Sequence, residues 1–388
     1  MSRSSAPQQV RLGIAGVGAI GKHHARTILS GAVPGCVLAA VCDIDPSKLE
    51  AFPGIPAFGS SDEMIQSGLI DAILISTPHY SHTTIGISAL GAGLHVLVEK
   101  PVSVHKADAK KLIAAHKSKR QVFAVMFNQR TDPRFLKIRS MVQSGELGTI
   151  RRIQWTVTDW FRSRAYYESS DWRATWAGEG GGVLLNQCAH NIDLFQWIFG
   201  MPRRVRAVCQ IGLHHEIEVE DDVTAIFEYD NKTTAVLVTS SGEAPGLNRL
   251  EISGERGLLT LEKDQFTFLR NEVETSAHSR STNEGYLTPN VWKVEIPITG
   301  RGEQHAGILR NFTNAILKGE ALIAPAREGI HSVELINAML LSSFRDKTVK
   351  IPVSPTEYQT LLQKLISQSS AEKRVVPYSG STANYLNS

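Results

Sequence analysis

The chain has 388 residues, 42% of them hydrophobic, with 41 Lys and Arg against 38 Asp and Glu. This length is too great for one ordinary core and predicts two or three domains. The charge is nearly balanced and scattered, so the sequence lacks the concentrated basic patch of a nucleic-acid-binding protein. No run approaches the ~20 apolar residues that span a membrane.

Four cysteines without CxxC spacing indicate buried free thiols in a reducing compartment. The first ten residues lack the apolar run of a signal peptide. We therefore expect a cytoplasmic protein with no nucleic-acid or membrane partner.

Short apolar runs alternate with amphipathic stretches through the first third of the chain. The runs begin with VRLGIAG and continue through VLAAVCDID, AILIST, HVLVEKP and VFAVMF. Fully apolar strands separated by helices are typical of a parallel sheet covered on both faces. Residues 1–127 are predicted to form an α/β domain with a doubly wound parallel sheet, the Rossmann fold.

After Asn128 strands follow one another through short turns, from RRIQWTVTDWF to GLLTLEK, with helical patterns before and after them. Consecutive strands favour an antiparallel sheet. We predict a substrate-binding and oligomerisation domain of the α+β class over residues 128–353, with a large, mostly antiparallel open sheet. A C-terminal helix and a polar tail are predicted over residues 354–388.

A glycine-rich turn follows the first strand: Gly16-Val-Gly18-Ala19-Ile20-Gly21 has the pattern GxGxxG. The pattern alone is weak, but a strand before it and a helix after it indicate a dinucleotide site. The glycines permit a tight turn and close approach of the pyrophosphate to the helix N-terminus. The alternative is a plain glycine-rich turn.

An acidic residue, Asp43, ends the second strand 22 residues after Gly21. That spacing suits a carboxylate that accepts hydrogen bonds from the adenosine ribose and repels a 2′-phosphate. No Lys or Arg occupies positions 44–47. Asp43 and the adjacent Ile44 are therefore predicted to bind NAD rather than NADP; otherwise Asp43 is a turn residue before Asp45-Pro46.

Two further clusters indicate catalysis. Glu99-Lys100-Pro101 ends a buried strand, where ligands of open α/β sheets bind, and Lys100 there could hydrogen-bond a substrate hydroxyl. Asn186, His190 and Asp193 are spaced i, i+4, i+7 and are predicted to share one helix face after a glycine triplet. His190 could act as general base. Taken alone, Lys100 is explained as a snorkelling surface lysine and His190 as a buried core histidine.

Together these segments resemble the family of glucose–fructose oxidoreductase, inositol dehydrogenase and MocA. The resemblance covers about residues 10–353 and depends on GVGAIG, Asp43, STPHYSH, VEKP and GGGVLLNQCAHNID in this order. It implies hydride transfer between a secondary hydroxyl of a sugar or cyclitol and the nicotinamide of NAD, with no metal.

The resemblance also assigns residues. It assigns acid–base catalysis to Lys100 and His190 and places Asn128 and Arg130 near the active-site cleft. Beside the cofactor it places Glu99 and the stretch Thr77, Pro78, His79 and His82. The sequence departs from the family at Asn186, where members commonly have Asp, so the usual Lys–Asp pairing is in doubt.

Four of the six tryptophans lie between Trp155 and Trp176, among several tyrosines and arginines. Flat aromatic faces can pack on a sugar ring while arginines donate hydrogen bonds, but core or interface packing explains the tryptophans equally well. Arg162 and Arg164 could grip a phosphate or carboxylate, or lie on a solvated loop. Substrate-binding residues are predicted to be Lys100, Arg130, Trp160, Tyr166, Trp172, Arg173, Asn186 and His190.

Three functions remain open. The first is an NAD-dependent sugar or inositol dehydrogenase, the second a glycosidase or lyase that oxidises its sugar transiently, and the third a non-catalytic NAD(H)-binding regulator. One face of the second sheet is left uncovered by helices and needs a partner, so a homodimer or homotetramer is expected.

Overall fold

The computed structural model describes residues 9–369 and 375–376. In the first domain short buried strands alternate with helices. Its elements are β1 (Val10–Ala15), α1 (Ala19–Leu29), β2 (Cys36–Cys42), α2 (Pro46–Leu49), β3 (Ala57–Phe58), α3 (Ser61–Gln66), β4 (Ala72–Ile75), α4 (His79–Gly91), β5 (His95–Val98), α5 (Lys106–Ala115) and β6 (Phe123–Val125).

The first sheet is parallel and has the order β3-β2-β1-β4-β5-β6. Its central strands are buried along their whole length; all four residues of β4 are inaccessible. The strand order reverses between β1 and β4, which opens a crevice at their carboxyl ends. The predicted Rossmann domain is confirmed.

The second domain follows a short 3-10 turn over Asn128–Thr131. Its elements are α6 (Pro133–Gln143), β7 (Ile150–Val157), α7 (Arg164–Glu168), α8 (Ala189–Phe199), β8 (Arg204–Ile211), β9 (Glu220–Glu228), β10 (Thr234–Ser240), β11 (Asn248–Gly254), β12 (Gly257–Glu262), β13 (Gln265–Asn271), α9 (Thr275–Ser281), β14 (Val291–Glu295), α10 (Gln304–Lys318), α11 (Gly329–Phe344), β15 (Val349–Lys350) and α12 (Pro355–Gln368).

The second sheet has nine strands in the order β14-β13-β12-β11-β7-β10-β9-β8-β15. Every pair is antiparallel except β7 with β10. The predicted large, mostly antiparallel sheet is therefore confirmed. The C-terminal helix is present as α12, while most of the polar tail lies outside the described residues.

Burial alternates along the strands of the second sheet. In β9, Val223, Ala225 and Phe227 are buried, whereas Thr224 and Ile226 are exposed. The buried set forms one hydrophobic cluster with residues of α6, α8, α11 and α12. The sheet is thus covered by helices on one face and open on the other.

One helix differs from expectation. The sequence places α10 in the second domain, but Ile308, Leu309 and Phe312 of this helix pack into the hydrophobic core of the first sheet. The helix therefore returns to the first domain in space. Its first turn carries His305 beside α1, where the rings of His23 and His305 lie 5.2 Å apart.

All four cysteines are free and buried, as the sequence predicts. Within residues 9–369 and 375–376, no helix combines the length and apolar character that a membrane span requires.

Candidate active site

A cavity of about 930 Å³ lies at the carboxyl ends of β1, β2, β4 and β5. One end is lined by the glycine turn and Asp43, and the other by Lys100, His190 and the aromatic segment before α8. Open α/β sheets bind their ligands at this place. The cavity is within the range of small-molecule and cofactor sites.

The glycine turn leaves no room for side chains. Gly16 has a φ of +87°, and a Cβ there would lie 2.7 Å from the Ser76 carbonyl oxygen. A Cβ on Gly21 would lie 2.0 Å from the Gly16 carbonyl oxygen, so both positions require glycine. Gly18 differs, because a Cβ there would meet none of the described atoms within 4 Å and would point into open space.

The same turn is shaped to receive a pyrophosphate. Gly18, Ala19 and Ile20 line the cavity at the start of α1. Among the described residues no side chain caps this helix, so its first backbone N–H groups stay available to an anion.

Asp43 is buried at the end of β2, and its carboxylate accepts hydrogen bonds from the backbone N–H groups of Val17 (2.9 Å) and Asp45 (3.0 Å). Ile44 beside it is 92% exposed and lines the cavity. The Lys48 ammonium lies 3.2 Å from the Asp43 carboxylate, so a cation reaches this end of the cavity although positions 44–47 have none.

Asp43→Ala is expected to weaken NAD binding and to reduce the preference for NAD over NADP. The substitution removes the ribose acceptor and its negative charge, and it leaves Lys48 free to attract a 2′-phosphate. Isothermal titration with both cofactors measures this, and Glu50→Ala is the matched control because Glu50 is an exposed carboxylate of the same segment that does not line the cavity. Unchanged affinity and preference in Asp43→Ala would remove Asp43 from this role.

The turn from β4 into α4 packs against the glycine turn. Ser76 donates a hydrogen bond to the Gly16 carbonyl oxygen (2.7 Å), and Thr77, Pro78, His79 and His82 line the cavity. His82 lies between the carbonyl oxygens of Pro101 (2.8 Å) and Thr77 (2.9 Å), which ties this turn to the Glu99-Lys100-Pro101 segment.

Glu99 is a buried anchor of the lysine segment. Its carboxylate contacts the His24 ring (2.7 Å) and accepts the backbone N–H of Lys100 (3.1 Å). Burial opposes its ionisation, yet the hydrogen bond with His24 brings the pKa of Glu99 down to about 2. Glu99 therefore stays charged and holds the Lys100 backbone in place.

The Lys100 ammonium points at Asn186. Its Nζ donates to the Asn186 carbonyl oxygen (3.1 Å) and to Oδ1 (3.2 Å). The Asn186 amide in turn donates to a carboxylate oxygen of Glu179 and to the Tyr166 hydroxyl (3.2 Å). Burial raises the pKa of Glu179, against the opposing charge of Arg173. Position 186 has no carboxylate, but the Glu179 carboxylate is linked to Lys100 through the Asn186 side chain.

His190 lines the cavity beside Lys100 and is half-buried. Burial, reinforced by the charge of Lys100, lowers the pKa of His190 well below its ordinary value. The imidazole is therefore neutral at pH 7 and able to accept a proton. A second neutral histidine, His305, lines the same cavity, with its pKa lowered to about 3 by burial.

The expected single helix face is wrong. Helix α8 begins at Ala189, so Asn186 lies in the preceding turns and only His190 and Asp193 are helical. Asp193 turns away from the cavity toward Arg130. The glycines explain the turn, because Gly182 is packed so closely that a Cβ would lie 1.9 Å from the Glu220 carbonyl oxygen.

The prediction that Arg130 binds substrate is wrong, because its side chain does not line the cavity. Its side chain is 1% exposed and forms two hydrogen bonds with Asp193 (2.8 and 2.7 Å) and one with Glu328 (2.5 Å). A buried guanidinium needs such partners, so Arg130 has a structural role and ties the turn after β6 to α8 and to the turn before α11. Its neighbour Asn128 does line the cavity.

The aromatic segment divides between cavity and core. Trp160, Tyr166, Trp172 and Arg173 line the cavity with Arg162. Trp155 and Trp176 lie in the core cluster outside the cavity, Trp160 belongs to both, and Tyr167 is buried with its hydroxyl 2.7 Å from that of Ser241. Arg164 is exposed and paired with Glu168 at 2.6 Å.

Several cavity-lining polar atoms have no hydrogen-bond partner among the described residues. They are Thr77 Oγ1, Asn128 Oδ1, Gln187 Oε1 and His190 Nδ1. Buried polar groups normally have partners. Together with the glycine turn and Asp43, these atoms fit a dinucleotide and a polar substrate. In the described part of the chain no group of three or more His, Cys, Asp or Glu side chains could hold a metal ion.

The sequence analysis did not single out Glu179, Gln187, His24, Lys48 or His305. Glu179 directly precedes the glycine triplet and is the nearest carboxylate before Asn186, so it could have been found from the sequence. His305 could not, because only the return of α10 to the first domain brings it to the cavity.

Comparison with known proteins identifies the family of the chain. Residues 10–127 match a family model described as an oxidoreductase family with an NAD-binding Rossmann fold, and residues 135–260 match the GFO/IDH/MocA C-terminal domain. The protein is accordingly an NAD-binding oxidoreductase. Since the two matches together take in more than half of the chain, it belongs to the GFO/IDH/MocA family.

Two relatives and two structures illustrate the likeness. Inositol 2-dehydrogenase of Rhizobium meliloti is 24% identical over 351 residues, 88% of this chain and 99% of the relative. The oxidoreductase YdgJ of Escherichia coli is 30% identical over 194 residues, 50% of this chain and 54% of the relative.

The WlbA dehydrogenase of Bordetella pertussis, solved with NADH and UDP-GlcNAcA, has a TM-score of 0.75 and 24% identity over 89% of this chain and all of that one. Levoglucosan dehydrogenase, solved with NADH and L-sorbose, has a TM-score of 0.74 and 20% identity over 89% of this chain and all of that one. At these identities the two structures show the fold alone.

Proposed function

We propose that the protein is an NAD-dependent dehydrogenase acting on a secondary hydroxyl of a sugar, sugar derivative or cyclitol. One observation supports this above all: the cavity that begins at the glycine turn also contains Lys100 and His190. When bound there, NAD supplies the hydride acceptor for the carbon that is oxidised.

The two side chains have complementary roles. An ammonium has three donors, and Asn186 accepts two from Lys100, so the third is available for the substrate oxygen. His190, neutral because burial lowers its pKa, takes the hydroxyl proton at an imidazole nitrogen. Lys100 thus orients the hydroxyl and stabilises the oxygen as it loses its proton.

The remaining surface of this end suits a polyol. The half-buried Trp172 ring can pack on the C–H face of a sugar ring, and the unpartnered oxygens of Asn128 and Gln187 can accept hydroxyl hydrogen bonds. The activities named for the inositol and levoglucosan dehydrogenases support the same substrate class.

A screen of NADH formation with inositols, aldoses and glycosides tests the proposal. A dehydrogenase produces one NADH for each substrate oxidised. Release of an aglycone without net NADH would instead show a redox-assisted glycosidase or lyase. NAD binding with neither NADH formation nor aglycone release from any compound would favour a non-catalytic regulator.

We also propose that the open face of the nine-stranded sheet joins two copies of the chain. Val208 and Ile226 are diagonal neighbours on β8 and β9 on this face and are 50% and 48% exposed, and contiguous exposed apolar side chains are typical of an interaction surface. Light scattering at micromolar concentration is expected to give a dimer or tetramer. Replacing both residues by Lys should lower the mass, and a mass of 42.5 kDa for the unmodified chain would contradict the proposal.

A further inference from the structure

Five side chains at the substrate end of the cavity form an alternating stack of aromatic rings and guanidinium groups. The Arg162 guanidinium carbon lies 5.6 Å from the Trp160 ring centre and 5.1 Å from that of Tyr166. Arg173 lies 4.5 Å from the Tyr166 ring and 4.6 Å from that of Trp172. All five residues line the cavity, so two cations are held at its wall by aromatic faces.

The stack is anchored at several points. The backbone of Arg162 is fixed by its N–H to the Ser241 carbonyl oxygen (2.9 Å) and by its carbonyl oxygen to His215 (2.8 Å). The Arg173 guanidinium donates to the Tyr166 hydroxyl (2.7 Å). A guanidinium held by its flat faces keeps its N–H edge in one direction, so little entropy is lost when that edge binds a ligand.

The charges around Arg162 decide what this end of the cavity can bind. In the described chain no carboxylate lies within ion-pair distance of Arg162 or Lys100. The acidic side chains near this end are Glu99 beside Lys100, Glu179 behind Asn186, Asp159, which interacts electrostatically with Arg162, and Asp171, which is exposed at the rim. Arg164, two residues from Arg162, has its own partner in Glu168 and lies outside the cavity.

We propose that this stack is an anion-binding subsite and that the sugar or cyclitol substrate carries a carboxylate or a phosphate. The inference rests on the proposed dehydrogenase function and narrows it to acidic substrates. Planar guanidinium edges match both anions and bind them through paired, charge-assisted hydrogen bonds. A neutral polyol would leave Arg162 without a counter-charge in a partly enclosed site.

Ligand binding tests the subsite without requiring turnover. Tryptophan fluorescence of the NADH-bound protein is titrated with D-glucuronate, D-gluconate and D-glucose 6-phosphate, and with neutral D-glucose. At least one anion is expected to bind ~10–100-fold more tightly than D-glucose, the usual effect of charge-assisted hydrogen bonds. Preference for the sugar acids identifies a carboxylate, and preference for the sugar phosphate identifies a phosphate.

Two variants locate the effect. Arg162→Gln is expected to bring the ratio of anion affinity to D-glucose affinity down to about that of a site without preference, and Arg162→Lys should restore part of this ratio. Arg164→Gln is the matched control and should behave as the unmodified protein does. If no anion binds more tightly than D-glucose, or if Arg162→Gln retains the full preference, the subsite is wrong.

The two proposals fail separately. Oxidation of neutral polyols as efficiently as acidic ones would refute the anionic substrate and leave the dehydrogenase intact. Tight anion binding that depends on Arg162, without NADH formation from any compound, would confirm the subsite and refute the dehydrogenase.

Discussion

Replacing His190 by alanine is expected to lower kcat by about 10²–10⁴, the usual contribution of a positioned general base. The imidazole lines the cavity beside Lys100 and is neutral because burial lowers its pKa. Without it, the hydroxyl proton loses the acceptor that lies beside Lys100. NAD affinity should be retained, because His190 belongs to α8 and the glycine turn to the first domain. Steady-state kinetics on the substrate found in the screen measures the effect.

The pH profile distinguishes a base from a packing residue. An ordinary histidine has a pKa of about 6.5. Since the pKa of His190 is lowered, its base form persists below that value and is lost only as the pH falls through the lowered pKa. The acid limb of kcat/KM should therefore lie below pH ~6.5. His190→Gln, which keeps a polar side chain, should remove this limb.

Near-normal turnover in His190→Ala would place the base elsewhere. Tyr166 is the next candidate, because its hydroxyl lies 3.2 Å from the Asn186 amide nitrogen and its side chain lines the cavity. Tyr167 is excluded from this role, since it is buried against Ser241 outside the cavity and burial raises its pKa.

The first domain could be predicted from the sequence because its signals are local. Four consecutive buried residues make β4, and a glycine turn links β1 to α1. The steric reason for each glycine lies within one strand–turn–helix unit or its neighbour. The second sheet was predicted from its succession of short strands rather than from strict alternation, because β9 carries an exposed apolar residue, Ile226, among its buried ones.

Side-chain partners across the chain could not be predicted in this way. Arg130 and Asn128 lie two positions apart, yet Arg130 turns to Asp193 and Glu328 while Asn128 lines the cavity. Which direction each takes depends on α8 and on the turn before α11, far away in sequence. Helical spacing likewise predicted one face for Asn186, His190 and Asp193. That prediction assumed a helix through all three positions, whereas the helix begins at Ala189.

Lys100→Ala is expected to be at least as damaging to kcat as His190→Ala. It removes both the donor that orients the hydroxyl and the positive charge beside the oxygen as the proton leaves; one lost donor of this kind usually costs about 10²–10³ in rate. Lys100→Arg should recover little, because a planar guanidinium cannot reproduce the geometry of the two hydrogen bonds that Nζ donates to Asn186. A loss confined to KM would show that Lys100 only binds substrate.

Moving the carboxylate from position 179 to position 186 tests how Lys100 is held. Asn186→Asp alone would place a second carboxylate against buried Glu179, whose pKa burial already raises, and is expected to lower kcat and the unfolding temperature. Glu179→Gln alone removes the buried carboxylate near Lys100 and Arg173 and should also lower kcat. The double variant restores one carboxylate to the site, now in direct reach of the Lys100 ammonium, and is expected to recover activity relative to both single variants. Additive losses in the double variant, measured as a double-mutant cycle on kcat, would show that the two positions act independently and that Glu179 is only a packing residue.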